Sequence, residues 1–159
     1  MPTATFRILY VFLVLRYDRR EVVHFTVTEH PTARWTAQQI VEAFPWDPAP
    51  RYLLHDRDRI FGTIFHHRVH TLNMREVHIA PRSPWQNPYV ERLNHVIVFN
   101  ERHLKKLMRA YFNYYHTART HLALNKQCPK PRSVDLPDQG TIIAFPCVGG
   151  LHYEYRRAA

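Results

Sequence analysis

Cysteine is scarce in this chain of 159 residues, with Cys128 and Cys147 the only two. They form no Cys-x-x-Cys pair and no repeated spacing, which argues against a disulfide framework or a thiolate zinc site and suits a reducing cytoplasm. Long apolar runs are lacking too. The stretch Ile8 to Leu15 is far shorter than the ~20 residues a membrane-spanning helix needs. It has neither the basic lead nor the small-residue cleavage site of a secretion signal, so it reads as a buried strand. There is no internal repeat and no low-complexity tract. Acid is also in short supply. Thirteen Asp and Glu stand against 22 Lys and Arg, a net charge of +9. Such a balance favours polyanionic partners, because each basic side chain that meets a phosphate releases condensed counterions. Charge alone, however, describes a basic soluble protein equally well. Twelve histidines add cationic capacity as the pH falls.

What is present is a globular composition, 45% apolar and 22% charged, in a chain long enough for one domain with a real core. Phe6 to Tyr17 and Glu21 to Thr28, separated by Asp18-Arg19-Arg20, predict a hairpin whose first strand is apolar on both faces and therefore central. Residues Thr32 to Phe44 predict an amphipathic helix, with apolar positions at Trp35, Ile40, Val41 and Phe44 and a stop at Pro45. A short strand, Arg51 to His55, runs into Asp56-Arg57-Asp58. A helix over Thr63 to Leu72 and a strand over Glu76 to Ala80 follow. Pro81 to Pro88 is a rigid loop, and the spacing from Tyr89 to about His116 is helical again. The tail carries a short apolar stretch, Thr141 to Val148. The order predicts an α/β fold, helices flanking a mixed central sheet.

Two places carry candidate chemistry. Asp56 and Asp58 follow directly on a strand, and acids at the carboxyl end of a strand are well placed for metal or ligand work. A charged turn leaving the sheet explains them as well. Glu91 opens a helix after the Pro-rich loop, where an acid also simply complements the helix dipole. Taken together, acids from separate elements suit phosphoryl transfer assisted by two Mg²⁺ ions, which want hard oxygen ligands.

The motifs then point to a family. Asp56-Arg-Asp-Arg-Ile-Phe61 resembles the Asp-Asn-Gly-x-x-Phe pattern of the integrase core shared by retroviral integrases and bacterial insertion-sequence transposases, the DDE group. Pro81-Arg-Ser-Pro-Trp-Gln-Asn-Pro-Tyr-Val-Glu-Arg92 resembles its Pro-x-x-Pro-x-x-Asn-Gly-x-x-Glu-Arg pattern. Thirty-four residues separate Asp56 from Glu91, the family's spacing to within one. Tyr111 to Leu122 is similar to its following helix and Tyr-Asn…Arg…His-x-x-Leu ending. The resemblance covers roughly residues 4 to 132, with 133–159 as a C-terminal extension. It implies a ribonuclease H-like fold, Asp56 and Glu91 as catalytic metal ligands, Mg²⁺ or Mn²⁺ as cofactor, and DNA (transposon ends and target) as partner. It further implies self-association, a bacterial, nucleoid-associated setting, and neither a membrane nor a small-molecule substrate. Asp58 falls where the family has Gly and takes at most a supporting place outside the ligand set.

Two departures from the pattern bear on activity. The family's first Asp would fall just upstream of Met1, and residues 1–17 contain no acid. Asp18 and Glu21 sit at the hairpin turn, the wrong end of the strand. After Glu91-Arg92-Leu93 the sequence passes at once into a segment the family places further along, so about three helical turns are missing. A truncated, internally deleted and inactive copy is therefore expected. The alternatives are a non-catalytic DNA-binding or subunit-pairing fragment, or an unselected, poorly folded remnant. Arg92, Arg102, Lys105, Lys106 and Arg109 are the candidate DNA contacts, although a solvated helix face explains the last four almost as well. His66, His67 and His70 lie at helical spacing. With no Cys or carboxylate at a matching position, they read as a solvated face rather than a metal site. Trp35, Trp46 and Trp85 read as buried aromatics before base-stacking ones, and Tyr111, Tyr114 and Tyr115 as core-facing.

Overall fold

The structure, a computed structural model, describes residues 3, 7–46, 48–79 and 98–158. Its elements are β1 (Tyr10–Arg16), β2 (Glu21–Thr28), α1 (Ala33–Ala43), β3 (Tyr52–His55), α2 (Thr63–Thr71), β4 (Arg75–His78), α3 (Glu101–Thr117), β5 (Thr141–Cys147) and β6 (His152–Ala158). This is a mixed α/β chain in the expected order. Among the described residues the strands form three two-stranded sheets, β1–β2, β3–β4 and β5–β6, rather than one continuous sheet. A central strand must be laddered on both edges. Among the described residues β1 pairs with β2, and Ile8 and Tyr10 are 57% and 44% exposed. No helix among the described residues is long and apolar enough to cross a membrane.

The chain divides into two compact units, Met1–Val14 with His24–Glu101, and Leu15–Val23 with Arg102–Ala159. In the first, Thr32 caps α1 by accepting a hydrogen bond from the Trp35 backbone N–H at 3.2 Å, an end the sequence marks clearly. The buried face of α1 is Thr36, Ala37, Gln39 and Ile40, more polar than its apolar spacing suggests. Each buried polar group has a partner, as burial requires. The Thr36 hydroxyl donates to the Ile60 carbonyl at 2.9 Å, and the Gln39 amide oxygen lies 3.0 Å from His24 Nε2. Helix α2 buries Phe65 and Val69, four residues apart on one face. It starts at Gly62, where an added Cβ would stand 3.1 Å from the Ala33 side chain. A side chain there would need Ala33 to give by a few tenths of an ångström. Trp46, expected inside, is 94% exposed; the turn after Pro45 offers it no apolar face. Trp35 is half-buried and meets Phe12 edge-on at 5.9 Å.

In the second unit, α3 buries Leu104, Met108, Tyr111, Phe112 and Tyr115, a stripe at helical spacing that includes two of the three expected tyrosines. Tyr114 is half-buried and stacks on His152 of β6 at 4.8 Å. The Tyr-Arg-His ending proves to be a clasp. Arg119 donates to the Tyr111 hydroxyl at 2.8 Å, and the buried His121 ring meets Tyr115 edge-on at 5.0 Å. His116 Nε2 accepts the Val22 backbone N–H at 2.9 Å, so it serves only while its ring is neutral. Burial first, and then Lys130, hold His116 below its ordinary value against the opposing pull of Glu21. Burial likewise, with Arg119 and Arg20 nearby, brings His121 down to about 4.

The sign of the resulting pH dependence follows directly. Between pH 6.5 and 4 the unfolded chain takes up a proton that the folded His121 ring refuses, and the lowered His116 acts in the same direction, so stability is full above about pH 6.5 and falls on acidification. Allowing for solvent screening, His121 accounts for on the order of 2 kcal/mol of that loss. Thermal melts of the parent chain and His121→Gln across this range should show a steeper acid loss in the parent. Parallel profiles would contradict the assignment.

Candidate functional site

The sequence-marked acids stand where β3 ends. β3 and β4 run parallel, with Leu53 opposite Glu76 and His55 opposite His78. Asp56 is the first residue beyond β3, and both it and Asp58 are exposed. Their carboxylates shape the turn. Asp56 Oδ1 accepts the Asp58 N–H at 3.1 Å, and Asp58 Oδ1 accepts the Ile60 N–H at 3.1 Å. This is what short acidic side chains do after a strand. The Phe61 N–H then closes on the Asp58 carbonyl at 3.1 Å. Phe61 packs on His55 and Phe65, each with ring centroids 4.8 Å away. The Asp-x-x-x-x-Phe spacing thus has a packing reason: the Phe pins the turn that presents Asp56.

Beneath this turn lies a cluster the sequence did not mark. Side chains alternate across a strand, so Leu53 and His55 of β3 share a face with Glu76 and His78 of β4, and that face meets α2. Glu76 Oε2 lies 2.8 Å from His55 Nε2 and 2.6 Å from His66 Nδ1. Its other oxygen is 3.5 Å from His70 Nε2. The Glu76 and His55 side chains are 8% and 7% exposed. Burial pushes the Glu76 carboxyl up, but the hydrogen bonds and charge of His55 and His66 more than offset that, leaving it below its ordinary value. His66, His67 and His70 were expected to form a solvated face for want of a carboxylate. Glu76 is that carboxylate, and it draws in His66; His67 and His70, the latter with its side chain 70% exposed, keep to the expectation. The signals in the sequence were the four-residue step from His66 to His70 and the alternation Glu76, His78. What was not legible was the parallel register that brings Glu76 diagonal to His55.

Of the other predicted site residues, Glu91 and Arg92, with Trp85 and the Pro-rich loop, lie outside the described residues. Arg102, Lys106 and Arg109 are exposed on α3 at a spacing of four and three, which sets them on one face of the helix. Lys105 is half-buried and flanks that stripe.

The chain matches no protein-family model and is similar to no curated protein. Its fold is similar to that of a chain in the cryo-EM structure of the simian T-cell lymphotropic virus intasome in complex with PP2A regulatory subunit B56 gamma. The TM-score is 0.57 at 15% identity, over 98% of this chain and 63% of that one. This chain therefore spans less than two thirds of that neighbour. At so low an identity the likeness concerns the fold.

The geometry separates the two sets of acids energetically. In the presence of a chelator, Glu76→Ala strands the buried His55 Nε2 and should cost about 2–3 kcal/mol in urea unfolding. Asp56→Ala loses one exposed turn hydrogen bond, about 0.5–1 kcal/mol. Equal losses would mean that the buried carboxylate does not anchor β3, β4 and α2.

Proposed function

We propose that the chain is a DNA-binding core of the integrase and insertion-sequence transposase kind, ribonuclease H-like in fold, that no longer transfers strands. The observation that carries this reading is the position of Asp56, exposed at the carboxyl end of β3 beside the parallel β4 and just before α2. That end of a parallel pair is where ligand sites of α/β sheets open. The fold-level similarity to a chain of a viral intasome supports it, as do the motifs around Asp56 and Glu91.

The expected cofactor, Mg²⁺ or Mn²⁺, wants hard oxygen donors and keeps several waters. Asp56 and Glu91 are donors of the right type, and Asp58 is an outer acid. Two carboxylates are few for two ions, and the described residues of β1 add none. Of the acids at the hairpin turn, Glu21 is engaged by Arg16 at 3.7 Å. Asp56 and Glu91 by themselves would hold one ion weakly, too small a set for in-line displacement clamped between two metals. What remains is affinity for the phosphate backbone, with Arg102, Lys106 and Arg109 as the contact stripe and Lys105 and Arg92 as supporting cations. Pairing with further copies of the chain belongs to the same reading, as does a nucleoid setting.

Binding of this kind is steep in salt. For duplex DNA, log affinity falls against log salt with a slope of roughly 0.9 per phosphate neutralised. Replacing Arg102, Lys106 and Arg109 together by Ala should flatten the slope by roughly 2–3. Fluorescence anisotropy with a labelled duplex measures it. An unchanged slope would remove α3 as the DNA-facing element, and no salt-dependent binding at all would remove the DNA-binding reading.

A further inference from the structure

We propose a second, separate metal site, in which His55, His66 and Glu76 hold a zinc-class divalent ion that ties β3, β4 and α2 together. The inference stands apart from the proposed DNA-binding role and does not require it. One donor atom from each of the three residues lies within 4.8 Å of the others. Tetrahedral donors at metal distances of about 2.0–2.2 Å stand roughly 3.4 Å apart. Small rotamer adjustments therefore suffice to receive the ion.

The hydrogen bonding argues for a cation at this point. His55 Nδ1 lies 2.7 Å from the Asp56 backbone carbonyl oxygen. A carbonyl only accepts, so Nδ1 carries the proton and donates it. In the neutral ring, Nε2 then holds a lone pair aimed at Glu76 Oε2, 2.8 Å away. The nitrogen of a second ring, His66 Nδ1, approaches that same oxygen at 2.6 Å. His66 Nδ1 can simply donate to this oxygen, but His55, with its Nδ1 proton committed to the Asp56 carbonyl, meets it at 2.8 Å only with a further proton or a metal ion between Nε2 and Oε2. A histidine that ligates through one nitrogen while the other donates to a backbone carbonyl is the usual arrangement in metal centres, where that outer hydrogen bond fixes tautomer and ring orientation. The Asp56 carbonyl supplies it here.

Burial and donor type narrow the ion. The Glu76 and His55 side chains are almost wholly enclosed, so the donors are held rather than free to swing. Two imidazoles and one carboxylate suit Zn²⁺ and its neighbours, whereas Mg²⁺ prefers oxygen and water. His70, one helical turn beyond His66 and 3.5 Å from Glu76 Oε1, lies outside this three-donor group, which leaves the remaining positions to water. Sheet and helix would thus be joined by coordination, at the place where the turn bearing Asp56 begins.

The test uses the full chain, stripped with a chelator and titrated with Zn²⁺ in competition with a chromophoric indicator. Co²⁺ serves as a second, spectroscopic probe. The expected result is saturable binding of about one equivalent, a rise in melting temperature, and the intense visible absorption of tetrahedral Co²⁺. A large excess of Mg²⁺ should not displace the ion. Glu76→Gln and His66→Gln should each weaken binding at least about tenfold. His67→Gln, on the same helix but outside the cluster, should leave it unchanged. His66 is partly exposed, so its variant is expected to fold and decides the matter if Glu76→Gln does not. Equal affinity in His66→Gln and His67→Gln, or no saturable binding in the parent, overturns the proposal.

Discussion

The end of the first unit that carries Asp56 depends on one buried carboxylate. Glu76 is the only described acid enclosed by the β3–β4 pair and α2, and it meets His55 on one strand and His66 on the helix. A buried charge without partners is costly, and one with two hydrogen-bonded partners resists any rearrangement that would separate them. The neighbouring features follow from this constraint. His55 is held, so its Nδ1 can fix the Asp56 carbonyl. Phe61 packs against the held His55 ring, and the turn from Asp56 to Ile60 takes its shape between them.

Structural and functional uses of a residue coincide in that turn. Asp56 and Asp58 each spend an oxygen on a backbone N–H, which accounts for their presence without invoking catalysis. In the proposed reading the same turn once aimed a metal ligand, and the packing that aimed it outlasted the chemistry. The second unit offers a parallel. Its Tyr111, Arg119 and His121, which resemble a family ending, act here as a clasp between α3 and the segment that follows.

Much of the fold was legible because its cues are local. Thr32 and Pro45 bracket α1, the Phe65 and Val69 spacing gives α2, and the apolar stripe from Leu104 to Tyr115 gives α3. The boundaries of α1 and α2 agree with the pattern to within a residue, as does the C-terminal end of α3; its start at Glu101 comes well after Tyr89, with 89–97 outside the described residues. The misreadings share a different cause. Whether Glu76 reaches His55 depends on register between distant segments, which periodicity does not encode. Trp46 was misplaced because an aromatic's average preference for burial says nothing about a turn with no neighbour to bury it. The buried face of α1 was misjudged for a related reason. Thr36 and Gln39 are inside because Ile60 and His24 satisfy them, and those partners come from elsewhere in the chain.

The central claim is that an integrase-like core has kept its frame without its strand-transfer chemistry. The most direct test incubates the purified full chain and its Asp56→Asn variant with supercoiled DNA in Mg²⁺ and in Mn²⁺, and follows nicking and joining on gels. The account predicts no metal-dependent product above background, and no difference between the two proteins. Nicking by the parent chain that requires the metal and disappears in Asp56→Asn would contradict it, and would mean that the carboxylates present suffice for catalysis.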